Sequence, residues 1–207
     1  MDAIKQKIVQ GATEQFVMYG VRSVTMDDIA SALGISKRTI YEQFTNKKEL
    51  LTAVVDHVQS QQECHEQQLA ENAETILDEF FLMFNAIDER YQSIGKFTFD
   101  VGKYYPEIYE EKYHAYYQKA LERLKDRMQL GIEQGVILPT LNLEFSTYML
   151  LEMIYNVISR GKRIVQMHIP ITDAFKYTVV YLLRGFSTDK GIRIIDERTK
   201  NWKYNVI

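Results

Sequence analysis

The sequence predicts an all-α protein with about nine helices: an N-terminal three-helix domain containing a helix-turn-helix, then a larger helical domain. Three observations indicate this class. Apolar residues recur with the period of a helix rather than with the alternation of a strand. Only 10 glycines and 3 prolines interrupt 207 residues, so the segments between them are long. Signals that start and stop helices crowd together near the N-terminus.

The first predicted helix is amphipathic and ends at Gly20. A second, short helix follows, because Thr25 and Asp28 have the spacing of a capping box that places a helix start at Met26. Gly34 supplies the left-handed residue that ends this second helix. The expected inward residues of the two helices are Ile4, Ile8, Ala12, Phe16 and Tyr19 on the first, and Ile29, Ala30 and Leu33 on the second.

Ser36 predicts the cap of a third helix over residues 37–44, with Ile40 and Phe44 facing inward. Asn46 and Glu49 predict the cap of a fourth helix that begins with the next residue after Asn46. Two short helices joined by a tight glycine-containing turn form a helix-turn-helix, which sets its second helix in the major groove of DNA. Ala30 fits this motif, because helices that cross so closely tolerate only a small side chain at their contact.

Positive charge is concentrated around this second motif helix. Residues 36–48 hold four cations and one anion, Glu42, a local balance of 4 − 1 = +3 against a formal net charge of −3 for the chain. Non-specific DNA affinity needs such a patch rather than a basic protein overall. A solvated basic helix surface is the alternative, but the capped helix-turn-helix favours DNA binding.

We expect the exposed side of residues 37–44 to read the operator. Lys37 and Arg38 are long enough to reach guanine edges. Thr25, Tyr41 and Lys47 are better placed for phosphates, near helix N-termini. The full set of predicted DNA-binding residues is Thr25, Lys37, Arg38, Thr39, Tyr41, Lys47 and Lys48.

The stretch GVRSVTMDDIASALGISKRTIYEQFTNKKELL, from Gly20 to Leu51, resembles the DNA-binding domain of the TetR family of bacterial one-component transcriptional regulators. Arg38 stands where many relatives have Gly, and Glu42-Gln43 where an aromatic residue or His is frequent; both departures bear on the operator sequence. EQGVILPTLNLEF, from Glu133 to Phe145, is similar to the turn that joins the later helices of such regulators. The features that carry the resemblance are Gly20, Thr25, Ile29-Ala30, Leu33-Gly34-Ile35-Ser36, Thr39-Ile40-Tyr41, Phe44, Asn46-Lys47 and Leu50.

The resemblance implies a DNA-binding repressor that a small ligand releases from a palindromic operator, and the many aromatic residues suggest that this ligand is largely apolar. It divides the chain into a helix-turn-helix DNA-binding domain, residues 1–50, and a helical ligand-binding and dimerisation domain, residues 51–207. The expected partners are operator DNA, a small-molecule effector and a second copy of the chain. Helices of the larger domain are expected over residues 47–69, 73–91, 94–103, 106–135, 143–162 and 171–185, with the last 20 or so residues as a tail.

The segments 143–162 and 171–185 are apolar around most of their circumference, so both predicted helices must be covered on several sides. Burial at the centre of one large domain is the alternative to a dimer interface. The resemblance favours the dimer, because relatives pair two final helices from each subunit. The predicted interface residues are Leu151, Ile158, Phe175, Val179 and Leu183.

Aromatic residues are dense between residues 80 and 155. Bulky rings in a helical core often leave a cavity, and tyrosine hydroxyls can orient a ligand inside it. Ordinary core packing is the alternative for each ring taken alone. The resemblance implies an effector pocket in this region, with the predicted ligand-binding residues Phe80, Phe84, Phe99, Tyr105, Tyr109, Tyr113, Tyr117 and Tyr155.

An enzyme is the competing class, and a ligand-independent DNA-binding or architectural protein is a further alternative. The sequence contains no Gly-rich phosphate loop, Gly-x-Ser-x-Gly elbow or His-Glu-x-x-His pair, and its 4 histidines are scattered. A single cysteine, Cys64, excludes an intramolecular disulfide. Cys64 and His65 are neighbours on a helix and point about 100° apart, so a metal site there is disfavoured. We expect no catalytic residues, cofactor, metal site or membrane span, and a soluble, cytoplasmic protein.

Overall fold

The computed structural model describes residues 3–86, 89–160 and 170–202, and the side chains at 84–86, 89–93, 158–160 and 171–172 lie outside that description. Within the described residues the chain is all-α, as predicted. No helix among them is long and apolar enough to cross a membrane. The ten helices described are α1 (Ala3–Tyr19), α2 (Met26–Ala32), α3 (Lys37–Gln43), α4 (Lys47–Glu71), α5 (Ile76–Ala86), α6 (Glu89–Tyr104), α7 (Pro106–Glu133), α8 (Leu143–Arg160), α9 (Ile171–Phe186) and α10 (Asp189–Thr199).

The chain folds as two compact units. The N-terminal unit contains residues 1–66 and 89–117, and the C-terminal unit contains residues 67–88 and 118–207. Compactness therefore groups α6 and the first turns of α7 with the helix-turn-helix. The division at residue 50 separates the chain by role rather than by compactness, and it stays a prediction.

The core of the N-terminal unit is built on the predicted inward face of α1. Ile8, Ala12 and Phe16 are fully buried, together with residues of α2, α3 and the start of α4. Tyr19 was expected on the same face but is 59% exposed, because it is the last residue of the helix and the core no longer covers it.

The core of the C-terminal unit lies between α8 and α9, with α5 and α10 packed on it. Leu150 of α8 and Val179 and Leu183 of α9 are fully buried. The backbone closes this unit at one end, where Leu138 N donates to Phe186 O at 2.8 Å and Thr188 N donates to Val136 O at 3.1 Å.

The structure corrects one predicted helix boundary. The helix predicted over residues 73–91 starts later than expected, because α5 begins at Ile76, and residues 89–91 are described as the first residues of α6 rather than as the end of α5. The start is set by Thr75 and Asp78, because Asp78 N donates to Thr75 Oγ1 and Thr75 N donates to Asp78 Oδ2, both at 3.2 Å. This is the same Thr-x-x-Asp signal that begins α2, so the sequence contained the information.

The expected C-terminal tail contains a helix, α10. Its first turn is capped by Thr188, whose hydroxyl accepts from Gly191 N at 3.2 Å. One face, formed by Gly191, Ile195 and Thr199, is buried against the C-terminal unit. After the helix, the Trp202 ring meets the Phe81 ring edge-on, with centroids 5.7 Å apart. The spacing of four between the buried residues is helical, but three positions were too few to predict a helix.

Candidate DNA-binding surface

The first helix of the motif, α2, begins with a complete capping box. Asp28 N donates to Thr25 Oγ1 at 3.2 Å, and Thr25 N donates to Asp28 Oδ2 at 2.8 Å. The hydrogen bonds from the Thr25 hydroxyl and backbone hold the pKa of Asp28 below its usual range. Thr25 is thus fixed at the helix N-terminus, in the exposed position that the sequence predicts for it.

The turn between α2 and α3 depends on Gly34. Its φ of +63° lies in the left-handed region, which a residue with a Cβ rarely adopts. Ile35 N then donates to Ala30 O at 3.0 Å, which closes the end of α2. Ala30 itself is 2% exposed, as expected for a small residue at a close helix crossing.

The second helix, α3, spans Lys37–Gln43 and is capped as predicted by Ser36, whose hydroxyl accepts from Thr39 N at 3.0 Å. Ile40 and Phe44 are buried in the core of the N-terminal unit. Their burial turns the opposite side of α3 to solvent, and three predicted DNA-binding residues lie there: Lys37, Arg38 and Tyr41. Thr39 is half-buried, with its hydroxyl 2.8 Å from that of Ser36.

The start of α4 supplies the last two predicted contacts. Glu49 N donates to Asn46 Oδ1 at 3.0 Å, which confirms the predicted cap. Lys47 is half-buried with its ammonium over the Phe16 ring, 5.7 Å from the centroid, and burial lowers the pKa of Lys47. Lys48 is exposed. All seven predicted residues therefore belong to one short motif and its capped helix ends.

Sequence reasoning missed the acidic partners of this surface. Lys37 forms an ion pair with Asp27. Arg38 Nε lies 2.7 Å from Glu42 Oε1, and Lys48 Nζ lies 2.8 Å from Glu107 Oε1. The Arg38–Glu42 spacing of four residues on one helix was a readable signal. The partners on α2 and α7 depend on tertiary packing, which the sequence did not show.

Residues 8–54 match the sequence model described as "Bacterial regulatory proteins, tetR family". Residues 8–54 belong to the TetR family of bacterial regulatory proteins. The chain is similar to the biofilm operon icaADBC HTH-type negative transcriptional regulator IcaR of Staphylococcus epidermidis, 29% identical over 110 residues, which cover 51% of each chain. It is also similar to the HTH-type transcriptional regulator SrpR of Pseudomonas putida, 39% identical over 51 residues, or 25% of this chain and 24% of SrpR. The matched stretches thus span about half or less of these curated relatives.

Solved structures extend the likeness in fold beyond the matched domain. A transcriptional regulator from Cytophaga hutchinsonii superposes with a TM-score of 0.75 at 16% identity, covering 90% of this chain and 100% of that one. A complex of SmeT with triclosan gives a TM-score of 0.72 at 18% identity, covering 91% and 93%. At these identities the comparison establishes the TetR-type fold for most of the chain.

The predicted ligand-binding residues are divided between the two units. In the N-terminal unit, Tyr109 and Tyr113 stack with ring centroids 4.7 Å apart, and Tyr113 Oη lies 3.1 Å from Thr98 Oγ1. Tyr105 and Tyr117 are half-buried, whereas Phe99 is exposed. The C-terminal unit contains three: Phe80, which is buried, Tyr155, which is half-buried, and Phe84, whose side chain lies outside the described residues.

The predicted interface residues are packed inside the C-terminal unit. Leu151, Phe175, Val179 and Leu183 are at most 7% exposed in the single chain, and the side chain of Ile158 lies outside the described residues. Phe175, Val179 and Leu183 belong to the core cluster of this unit, and Leu151 is buried in the same protomer, so a charged residue at Leu151 or Leu183 is expected to disturb the fold itself. Among the side chains that the structure describes on α8 and α9, the exposed large apolar ones are Phe145, Tyr148, Met153 and Tyr181.

Proposed function

We propose that this chain is a sequence-specific DNA-binding transcriptional repressor, released from a palindromic operator by a small, largely apolar ligand. The observation that carries the proposal is the exposed side of α3. Burial of Ile40 and Phe44 orients Lys37, Arg38 and Tyr41 outward on a capped helix-turn-helix. A helix presented in this way fits the major groove, where the edges of base pairs differ.

The other members of the surface are suited to the phosphate backbone. Thr25 and Lys47 lie at the N-terminal ends of α2 and α4, where backbone N–H groups favour anions. Lys48 adds a positive charge in the first turn of α4. Such contacts set register and orientation, while Lys37 and Arg38 are assigned the base edges.

Selection from a random duplex library tests DNA recognition directly. The purified protein is incubated with duplexes carrying about 30 random base pairs, roughly three helical turns, and bound DNA is amplified and sequenced over several rounds. We expect enrichment of an inverted repeat with guanine in each half-site. A library that stays random after selection would contradict the proposal.

A homodimer is part of this proposal, because an inverted repeat needs two recognition helices related by a two-fold axis. Exposed aromatic and apolar side chains on α8 and α9 support it. Tyr148 and Tyr181 are 49% and 63% exposed, and the Tyr181 ring stacks on that of Tyr177 with centroids 6.2 Å apart. Such rings on two neighbouring helices are typical of residues that a second subunit covers.

Sedimentation of single-residue variants tests the dimer. Tyr148→Glu and Tyr181→Glu should shift the protein toward monomers and greatly weaken its binding to the selected duplex. Met18→Glu is the matched control, because Met18 is also exposed but lies on α1. If both tyrosine variants remain dimers, the dimer interface does not include Tyr148 or Tyr181.

The ligand part of the proposal has two supports. The aromatic residues of α5–α8 fit apolar ligands, and a solved structure with the same fold is a SmeT–triclosan complex. Release requires the ligand to bind two conformations with different affinity. We assign the coupling between ligand binding and DNA release to α4, because this helix runs from Lys47 at the DNA-binding surface to Glu71 in the C-terminal unit.

A thermal-shift screen of apolar aromatic compounds, triclosan included, tests the ligand. Compounds that raise the midpoint of thermal unfolding should weaken binding of the protein to the selected duplex about 5- to 150-fold, the usual range of allosteric coupling. Compounds that stabilise the protein yet leave DNA affinity unchanged would contradict ligand-controlled release. They would favour a ligand-independent DNA-binding protein instead.

A further inference from the structure

Arg38 and Glu42 form an ion pair on the outward side of α3. Arg38 Nε donates to Glu42 Oε1 at 2.7 Å. The contact uses Nε, which lies at the base of the guanidinium group, while a bidentate contact with guanine uses N–H groups of the fork. Glu42 thus holds the guanidinium through Nε, and the N–H groups of the fork stay available for contact with a base.

The pair is poorly placed to stabilise the helix. α3 has seven residues, with Arg38 in the first turn and Glu42 in the last. A cation near a helix N-terminus and an anion near the C-terminus both oppose the helix dipole. The order is also the less favourable one, because Glu preceding Lys or Arg by four residues is the better arrangement. A role beyond helix stability is therefore indicated.

We propose that Glu42 is a positioning residue that fixes the guanidinium of Arg38 for bidentate contact with guanine. The inference rests on the proposed function and deepens it, because it says what sets the base preference of α3. The side chain of Arg38 is 87% exposed, so without a partner it would sample many rotamers. Glu42 lowers the ordering cost of binding before DNA arrives.

Positioning of this kind favours correct sequences over incorrect ones. A phosphate oxygen can be reached by many rotamers of arginine, so contact with the backbone gains little from a fixed guanidinium. Guanine O6 and N7 require one orientation of the fork. The Glu42 carboxylate also repels phosphates, so it weakens any docking that lacks the base contact.

The test compares wild type, Glu42→Ala and Glu42→Gln on the duplex selected by wild type and on random-sequence duplex. Glu42→Ala should weaken binding to the selected duplex about two- to tenfold, the cost of ordering one long side chain, and should not weaken binding to random duplex. Glu42→Gln, which keeps an acceptor for Nε, should restore part of the loss. The matched control is Glu122→Ala, an exposed residue of α7 with the same charge change.

A repeated selection with Glu42→Ala gives the decisive readout, because a purely structural role would not alter base preference. We expect weaker enrichment of guanine in each half-site, and we expect that Glu42→Ala no longer weakens binding to the selected duplex when Arg38 is already Ala. An unchanged ratio of the affinities for selected and random duplex would overturn the inference, as would an equal loss of affinity in the Arg38→Ala background. Failure of the proposed function is distinguishable, because wild type would then select no sequence.

Discussion

Arg198 of α10 donates from Nε to Oδ1 of Asp78 in α5 at 2.8 Å, joining residues 120 positions apart. Asp78 is 7% exposed, and its other carboxylate oxygen accepts from Thr75 N at the start of α5. One buried carboxylate therefore both caps an early helix of the C-terminal unit and holds the last helix against it. This contact and the buried face of Gly191, Ile195 and Thr199 together make residues 189–199 part of the folded unit.

We predict that Arg198→Ala destabilises the protein by about 1–2 kcal/mol, since it removes a charge-assisted hydrogen bond from a buried carboxylate. The measurement is the midpoint of urea unfolding. Arg193→Ala is the matched control, because Arg193 is an exposed arginine of the same helix. Equal midpoints for the two variants would mean that the Asp78 contact adds nothing to stability.

A second prediction concerns close packing of α10. A Cβ on Gly191 would overlap the carbonyl oxygen of Val136, whereas a Cβ on Gly185 in α9 would meet nothing within 4 Å. Gly191→Ala should cost about 1–3 kcal/mol through overpacking, while Gly185→Ala should be neutral or stabilise by up to about 1 kcal/mol. Thermal unfolding of both variants checks whether the two changes in stability differ in this way. A Gly191→Ala variant as stable as wild type would contradict the packing described.

The Tyr113 hydroxyl predicts an alkaline dependence of stability. Burial raises the pKa of Tyr113 to about 12, well above the value of about 10 for an unfolded chain. Between these values the folded protein binds more protons, so this contribution is complete below pH 10 and is lost as the pH rises toward 12. Tyr113→Phe should remove this dependence and cost about 0.5–1.5 kcal/mol at neutral pH by losing the Thr98 hydrogen bond. The free energy of unfolding of both proteins is measured in urea at pH 8, 10 and 11. If it falls equally with pH in wild type and in Tyr113→Phe, the Tyr113 hydroxyl is not buried as described.

The capping box of α2 predicts an acid dependence of opposite sign. Hydrogen bonds from Thr25 lower the pKa of Asp28 in the folded state, so the unfolded state binds more protons as the pH falls below about 4. The contribution of Asp28 is present above that pH and is lost as the pH drops through the folded pKa. Asp28→Asn should therefore flatten the fall in stability between pH 5 and pH 3. If the stability of Asp28→Asn falls as steeply with pH as that of wild type, protonation of Asp28 is not coupled to unfolding.

The helix-turn-helix was predictable because its signals are local. Thr25, Gly34 and Ser36 act on residues within a few positions, and the structure confirms each of them. The start of α5 carries the same local signal at Thr75, and the prediction of a start at residue 73 missed it. What the sequence did not show depends on tertiary packing. Helices apolar all round predict that α8 and α9 are covered, but not whether Val179 meets its own chain or another.

We propose that the outward side of α3 reads base sequence, and replacement of Arg38 tests this proposal. Affinities of wild type, Arg38→Ala and the control Arg193→Ala are measured by fluorescence anisotropy on the selected duplex and on the same duplex with scrambled half-sites. A bidentate guanine contact supplies about 1–3 kcal/mol of discrimination. Arg38→Ala should therefore lose about 5- to 150-fold on the selected duplex and far less on the scrambled one, with Arg193→Ala unchanged on both. If Arg38→Ala retained both the affinity and the sequence preference of wild type, α3 would not read base sequence through Arg38.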